Sequence, residues 1–244
     1  MSSGIYTVLS GAVTRMNTAD VISNNLSNIN SNGFKKQRMS FASVLNDATQ
    51  TSSAKGNNFS TIGDSRIVFE QGVIADTARE LDFAISGNGF FRVQRGEEML
   101  YTRTGTFSRT AEGNLVDGAG NPVMSIDNEA LLLPPGPFEV DDNGQIMSQE
   151  GGQEGIVGQI GVFDLPLEEL THESGGRFVF TGAAEDVVPA QGSQVLQGSL
   201  ERSNVNLMEE AALMMSNMRV YESYNKALKN YYDLNAKRSE IATL

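Results

Sequence analysis

The sequence predicts an α+β protein. Its N- and C-terminal α-helices pair as a coiled-coil-like domain, with a central, mainly antiparallel β domain between them. Two observations carry this. Apolar residues at alternating 4-3 spacing run through both ends: Ile5, Leu9, Ala12, Met16 and Ala19 in the first, Leu207, Ala211, Met214, Met218 and Tyr221 in the second. A further stripe follows at Val220, Tyr224, Ala227, Tyr231 and Leu234. Such spacing places side chains on one helical face, and sustained heptads predict a coiled-coil seam. Between the ends, apolar runs roughly ten residues apart are broken by Gly, Asn, Asp and Pro, the pattern of antiparallel strands rather than β-α units.

The expected organisation is a terminal helical domain (residues 1–34 with 200–244), a linker or extended segment (35–66) and a β-rich domain (67–199). The first helix is predicted from about Ser3 to about Ser27, capped by Ser2 or Ser3. Gly4 and Gly11 each weaken it by roughly 1 kcal/mol relative to Ala. It runs into Asn24-Asn25-Leu26-Ser27-Asn28-Ile29-Asn30-Ser31-Asn32-Gly33, rich in the residue types that tolerate the left-handed backbone ending a helix. Residues 42–65 are rich in Ser, Thr, Asn and Gly, which predicts a flexible or partner-ordered stretch.

Strands are then expected at Leu81–Ser86, Phe90–Val93, Met99–Arg109 and Ile156–Phe163. In Met99–Arg109, Tyr101, Arg103 and Phe107 would share one face, and Thr102, Thr104 and Thr106 the other. Glu112-Gly113-Asn114, Asp117-Gly118 and Asp142-Asn143-Gly144 are turn sequences, and Pro134-Pro135-Gly136-Pro137 is a rigid bend. Ser203-Asn204 is expected to cap the last helix, with Glu209 and Glu210 near its positive end.

Net charge is −12, unevenly spread: +3 over residues 1–40, zero over 200–244 and −15 over the middle. An acidic body disfavours nucleic acid and anionic membrane as partners, since both demand a basic face. No run is long and apolar enough for a membrane-spanning helix, so no membrane insertion is expected. The first 30 residues lack the pattern of a cleaved secretory signal. Cysteine is absent, which removes disulfides and thiolate metal sites.

The candidates for chemistry are weak. His172 is the single histidine and sits among acids, where a surface position is expected. Gly87-Asn88-Gly89 lacks the third glycine and following helix of a dinucleotide site. Asp141-Asp142-Asn143-Gly144 lacks the spacing of a calcium loop. No catalytic residue, cofactor or metal site is expected, and an enzyme is not. The methionines Met208, Met214, Met215 and Met218 suit a buried seam better than a promiscuous groove, and with Tyr221, Tyr224, Tyr231 and Tyr232 they make a broad apolar face that fits contact with several helices or a thicker intramolecular core.

Four segments carry a resemblance. Ile22–Lys36 (ISNNLSNINSNGFKK) contributes Asn24, Asn25, Asn28, Gly33 and Phe34. Ser86–Val93 (SGNGFFRV) contributes Gly89, Phe90 and Phe91, and Tyr101–Val116 contributes Arg103 and Gly105. Gln197–Lys226 contributes Ser203, Asn204, Val205, Arg219, Tyr221 and Glu222. In these segments and their order the chain resembles the flagellar basal-body rod and hook proteins. Its length and its opening Gly4-Ile5-Tyr6-Thr7 are most similar to the proximal rod branch, with the distal rod branch next.

The resemblance implies a structural subunit that polymerises through its terminal helices into a torque-transmitting shaft around an export channel. It also implies other rod subunits, alike and different, as partners. Export from the cytoplasm would run through the flagellar type III apparatus without signal cleavage, and the final place would be the periplasmic rod of the basal body. The helical series Ile5, Leu9, Ala12, Met16, Ala19, Leu207, Ala211, Met214, Met218, Tyr221, Tyr224 and Tyr231 would then be the assembly interface. From the residues alone a second architecture stays open, a soluble binding module closed into a dimer by its terminal helices.

Overall fold

The computed structural model describes residues 3–45, 58–148 and 155–242. In chain order the elements are α1 (Ser3–Ser27), β1 (Gln37–Leu45), β2 (Asn58–Ile67), β3 (Ile74–Asp76), β4 (Phe83–Ser86), β5 (Phe90–Arg95) and β6 (Glu98–Thr102). There follow β7 (Ser108–Arg109), β8 (Leu115–Val116), β9 (Phe138–Val140), β10 (Gln145–Ser148), β11 (Gly155–Gln159) and β12 (Val162–Asp164). The last are β13 (Leu170–Glu173), β14 (Arg177–Phe180), β15 (Val188–Pro189), β16 (Gln194–Gln197), β17 (Ser199–Glu201) and α2 (Leu207–Ala242). They form two compact units. One is built from Met1–Ser27, Lys36–Val68 and Val205–Leu244, the other from Asn28–Lys35 and Phe69–Asn204.

The first unit holds α1, α2 and an antiparallel ribbon of β1 and β2, whose register slips between Met39 and Phe41. The expected coiled-coil-like pairing of the terminal helices is overturned. A seam requires its apolar knobs to be enclosed, yet Leu9 is 48% exposed, Met16 58%, Leu207 52% and Met218 50%. The helices meet through small and polar residues instead. The Tyr224 ring lies against Gly11, where an added Cβ would fall 2.6 Å from Cε1. Asn217 Nδ2 donates to the Arg15 carbonyl at 2.7 Å, and Ala12 and Thr14 are buried alongside. Gly11 therefore trades helix propensity for close ring packing.

The cap of α2 also differs from expectation. Asn206, not Ser203 or Asn204, is the capping residue, with Oδ1 accepting from the amides of Met208 at 3.0 Å and Glu209 at 3.3 Å. Of the expected caps of α1, Ser2 lies outside the described residues. So do positions 46–57 of the stretch expected to be flexible or partner-ordered; the rest of it contributes to β1 and β2.

The second unit is the β body. Its largest sheet has six strands in the spatial order β13-β14-β6-β5-β12-β15, every neighbour antiparallel. Smaller sheets join β11-β10-β9, β16-β4, β17-β3 and β7-β8. Alternation along β5 shows how the layers arise. Phe91 and Val93 enter a core with Phe83, Ile85, Leu100, Phe107, Leu115 and Ile146. Phe90 joins a ring cluster with Phe69 and Phe178 at centroid distances of 5.5–5.7 Å, and Arg92 lies 3.4 Å over the ring of Phe163. Turn glycines take the positions that demand positive φ, as at Gly113 and Gly144.

The strand expected over Met99–Arg109 is broken after Thr102. Thr102 Oγ1 accepts from the Thr104 amide at 3.0 Å, and the Phe83 amide donates to the Gly105 carbonyl at 3.0 Å. The chain leaves the ladder to run close against β4.

His172 is no solvated surface residue. It lies in β13, half-buried, with its ring edge-on to Phe178 at 5.7 Å and Phe34 at 5.8 Å. Burial pushes its imidazole below the ordinary value of 6.5. The folded protein therefore holds this proton less tightly than the unfolded chain. The stability His172 confers is complete above about pH 6.5 and falls as pH drops through that value toward the lower folded pKa. The wild type should consequently lose more melting temperature than His172→Phe between pH 7.5 and pH 5; equal losses would show that the ring is indifferent to charge.

Candidate assembly surface

On α1, Tyr6, Leu9, Val13 and Met16 are exposed and spaced at helical intervals. On α2, Leu207, Met208, Leu213, Met215 and Met218 are exposed over its first half, and Tyr232 and Leu234 over its second. The residues expected as an assembly seam divide accordingly. Leu9, Met16, Leu207 and Met218 are open; Ile5, Ala19, Ala211, Met214, Tyr221, Tyr224 and Tyr231 are half-buried; only Ala12 is enclosed. Among the described residues, no group of three or more His, Asp and Glu side chains is placed to hold a metal ion.

Within the same unit, a cavity of about 320 Å³ opens between α1, the start of β1 and α2. Val21, Ile22, Met39, Leu213 and Val220 line it, with Arg15, Arg38 and Glu209 at its polar margin. Beside it, Asn25 is buried and acts as a surrogate strand. Its Nδ2 donates to the Gln37 carbonyl and its Oδ1 accepts from the Gln37 amide, both at 2.9 Å. Nδ2 also reaches Glu210 Oε2 at 3.3 Å. Arg38 Nη2 pairs with Glu209 Oε1 at 2.7 Å. Asn24, Arg219 and Glu222, from the same family segments, are exposed.

Val205 and Tyr221 fall in the helical unit, and the remaining family residues belong to the β body. Gly33, at φ +66°, lies so close to the 103–104 backbone that an added Cβ would sit 2.4 Å from the Arg103 carbonyl carbon. Phe34 is buried against His172. Phe90 and Phe91 serve the two layers, and Gly89 holds φ +104° against Val162 and Ala190. The Phe34 carbonyl accepts from the Asn204 amide at 3.4 Å, and Asn204 Nδ2 donates to the Glu70 carbonyl at 3.0 Å.

At the centre lies a residue that the sequence reading passed over, Glu201. Its carboxylate accepts from Lys35 Nζ at 2.6 Å and the Gly72 amide at 2.8 Å through Oε1, and from Arg103 Nη1 at 3.3 Å through Oε2. Lys35 and Glu201 are each 1% exposed. Burial pushes the Lys35 ammonium and the Arg103 guanidinium below their ordinary ranges, and Glu201 opposes this in both. In sequence, the only hint was a charged residue directly after the apolar Leu200.

Comparison with known proteins matches these features. Residues 84–135 fit the flagellar hook protein FlgE/F/G D1 domain, and residues 196–237 the C-terminal region of flagellar basal body rod FlgEFG proteins. The flagellar basal-body rod protein FlgF of Caulobacter vibrioides is 31% identical, covering 98% of both chains. This chain belongs to the flagellar basal-body rod protein family. Two relatives named FlgG are similarly near. The Bacillus subtilis protein is 29% identical over 93% of this rod protein and 94% of its own length, and that of Borreliella burgdorferi 31% over 94% of each. Both matched regions include residues of the β body, while the second takes in most of α2 of the rod protein.

Proposed function

We propose that this chain is a structural subunit of the bacterial flagellar rod, polymerising with like and unlike rod subunits through its terminal helices. The observation that carries the reading is the open third of the helical series: Leu9, Met16, Leu207 and Met218 stay exposed within the chain. Exposed apolar side chains at helical spacing gain by burial against neighbours, at about 1.5–3 kcal/mol each when fully covered. In this reading the β body faces outward, consistent with the −15 carried by the middle of the sequence, and turnover is not its task. The reading extends to export through the flagellar type III apparatus, joining the rod in the periplasm, transmission of torque and enclosure of the channel, all by the resemblance of the signature segments. The opening Gly4-Ile5-Tyr6-Thr7 favours the proximal rod, although relatives named FlgF and FlgG match alike.

Met16→Asp and Met218→Asp test this. Both sites are exposed, so the purified variants should keep wild-type stability within about 0.5 kcal/mol. In a strain lacking the native copy, each should be absent from isolated basal bodies and fail to restore motility. A variant that enters the rod, or a purified wild type that sediments as a stable closed dimer, would overturn the reading.

A further inference from the structure

We propose that Glu201 is a latch that holds the segment 28–35 onto the β body and releases that segment, rather than the whole body, when its charge is removed. The inference concerns the body alone and stands independently of the assembly reading. Glu201 faces two cations, Lys35 Nζ at 2.6 Å and Arg103 Nη1 at 3.3 Å, all three buried. Without the carboxylate charge, Lys35 and Arg103 would face one another with no anion between them, and buried charges left unpaired are strongly unfavourable. One of the two must move.

The anchoring of the two cations decides which. Arg103 follows directly on β6, and its Nη2 donates to the Gly87 carbonyl at 2.8 Å while its guanidinium lies 5.2 Å from the Phe90 ring centre. Two residues further on, the Gly105 carbonyl holds the Phe83 amide of β4. Lys35, in contrast, sits in a segment without ladder pairing. That segment is held by single contacts, among them the Gly33 amide on the Glu201 carbonyl at 2.7 Å, the Asn204 amide on the Phe34 carbonyl at 3.4 Å, Thr104 Oγ1 on the Asn32 carbonyl at 3.2 Å, and the Phe34 ring against His172. Lys35 Nζ has one further acceptor, the Glu70 carbonyl at 2.8 Å. Isolated contacts open at lower cost than strand ladders, so the segment leaves first.

The test is hydrogen exchange on the full-length chain carrying Glu201→Gln. The amides of residues 31–35 should exchange at least tenfold faster than in the wild type, while those of Phe90–Thr102 stay within twofold. If both regions accelerate together, the network only adds bulk stability and the latch is refuted. Unchanged exchange in 31–35 refutes it equally. Should Glu201→Gln fail to fold, Glu201→Asp is judged by the same two criteria; it keeps the charge but withdraws it from Lys35 by one methylene.

Discussion

Gly105→Ala is expected to cost the β body about 4 kcal/mol or more, enough to leave much of the protein without its native sheet. The reason is geometric. An added Cβ would lie 1.5 Å from the Phe83 carbonyl oxygen and 2.7 Å from its carbon, and non-bonded heavy atoms need about 3.5 Å. The 105 backbone and β4 would have to part by roughly 2 Å, breaking the 3.0 Å bond from the Phe83 amide to the Gly105 carbonyl. Phe83 and Phe107, with ring centres 6.2 Å apart and both fully buried, would separate with them. Neither neighbour is the free end of a flexible side chain, so the strain cannot be relieved locally. Gly118→Ala is the control. Nothing lies within 4 Å of its added Cβ, and its effect should stay within about 0.5 kcal/mol. Urea unfolding read by hydrogen exchange in Phe90–Thr102 measures both, and equal costs at the two sites would refute the close-approach argument.

Asn25→Asp should destabilise the helical unit by about 3 kcal/mol, more than Asn25→Ala. The substitution changes one atom type and almost no volume. It removes the Nδ2 donor that serves both the Gln37 carbonyl and Glu210 Oε2, and it sets a second carboxylate beside that of Glu210. Both positions are buried, so water cannot screen the repulsion. Alanine loses these bonds and also the Oδ1 acceptor of the Gln37 amide, but it brings no charge. Since α1 and α2 both belong to this unit, helical circular dichroism at 222 nm during thermal melting follows it directly. A melting temperature for Asn25→Asp equal to or above that of Asn25→Ala would show that Glu210 does not sense the new charge.

The sequence exposed some of this architecture and hid the rest. The bounds of α1 were legible because the Asn-rich run after Ser23 stops helices locally, and helix-ending residues act over a single turn. The β body was legible from its turns: Gly113, Gly144 and the Asp117 loop lie where their composition predicted. The cap of α2 was misplaced by two to three residues because Ser203, Asn204 and Asn206 all carry side-chain oxygens able to cap, and only backbone direction selects among them. The break after Thr102 was invisible, since Arg103–Phe107 alternates like a strand and diverges only because β4 needs the Gly105 backbone.

The helix contact shows the division most clearly. Periodicity establishes which residues share a helical face, since that depends only on 3.6 residues per turn. It cannot say whether the face turns to the same chain or to another, because both burials satisfy the same pattern. Here the intramolecular contact went to Gly11, Ala12 and Asn217, leaving Leu9, Met16 and Met218 open. Glu201 is the same lesson in charge. Its acidity was plain in the chain, but its role arises because Lys35, Gly72 and Arg103, up to 166 residues away, converge on one carboxylate. Local pattern sufficed for the bounds of α1 and for the turns of the β body. The pairing of distant groups, and so the buried network and the helix contact, came from three-dimensional packing, in which sequence separation has no bearing on distance.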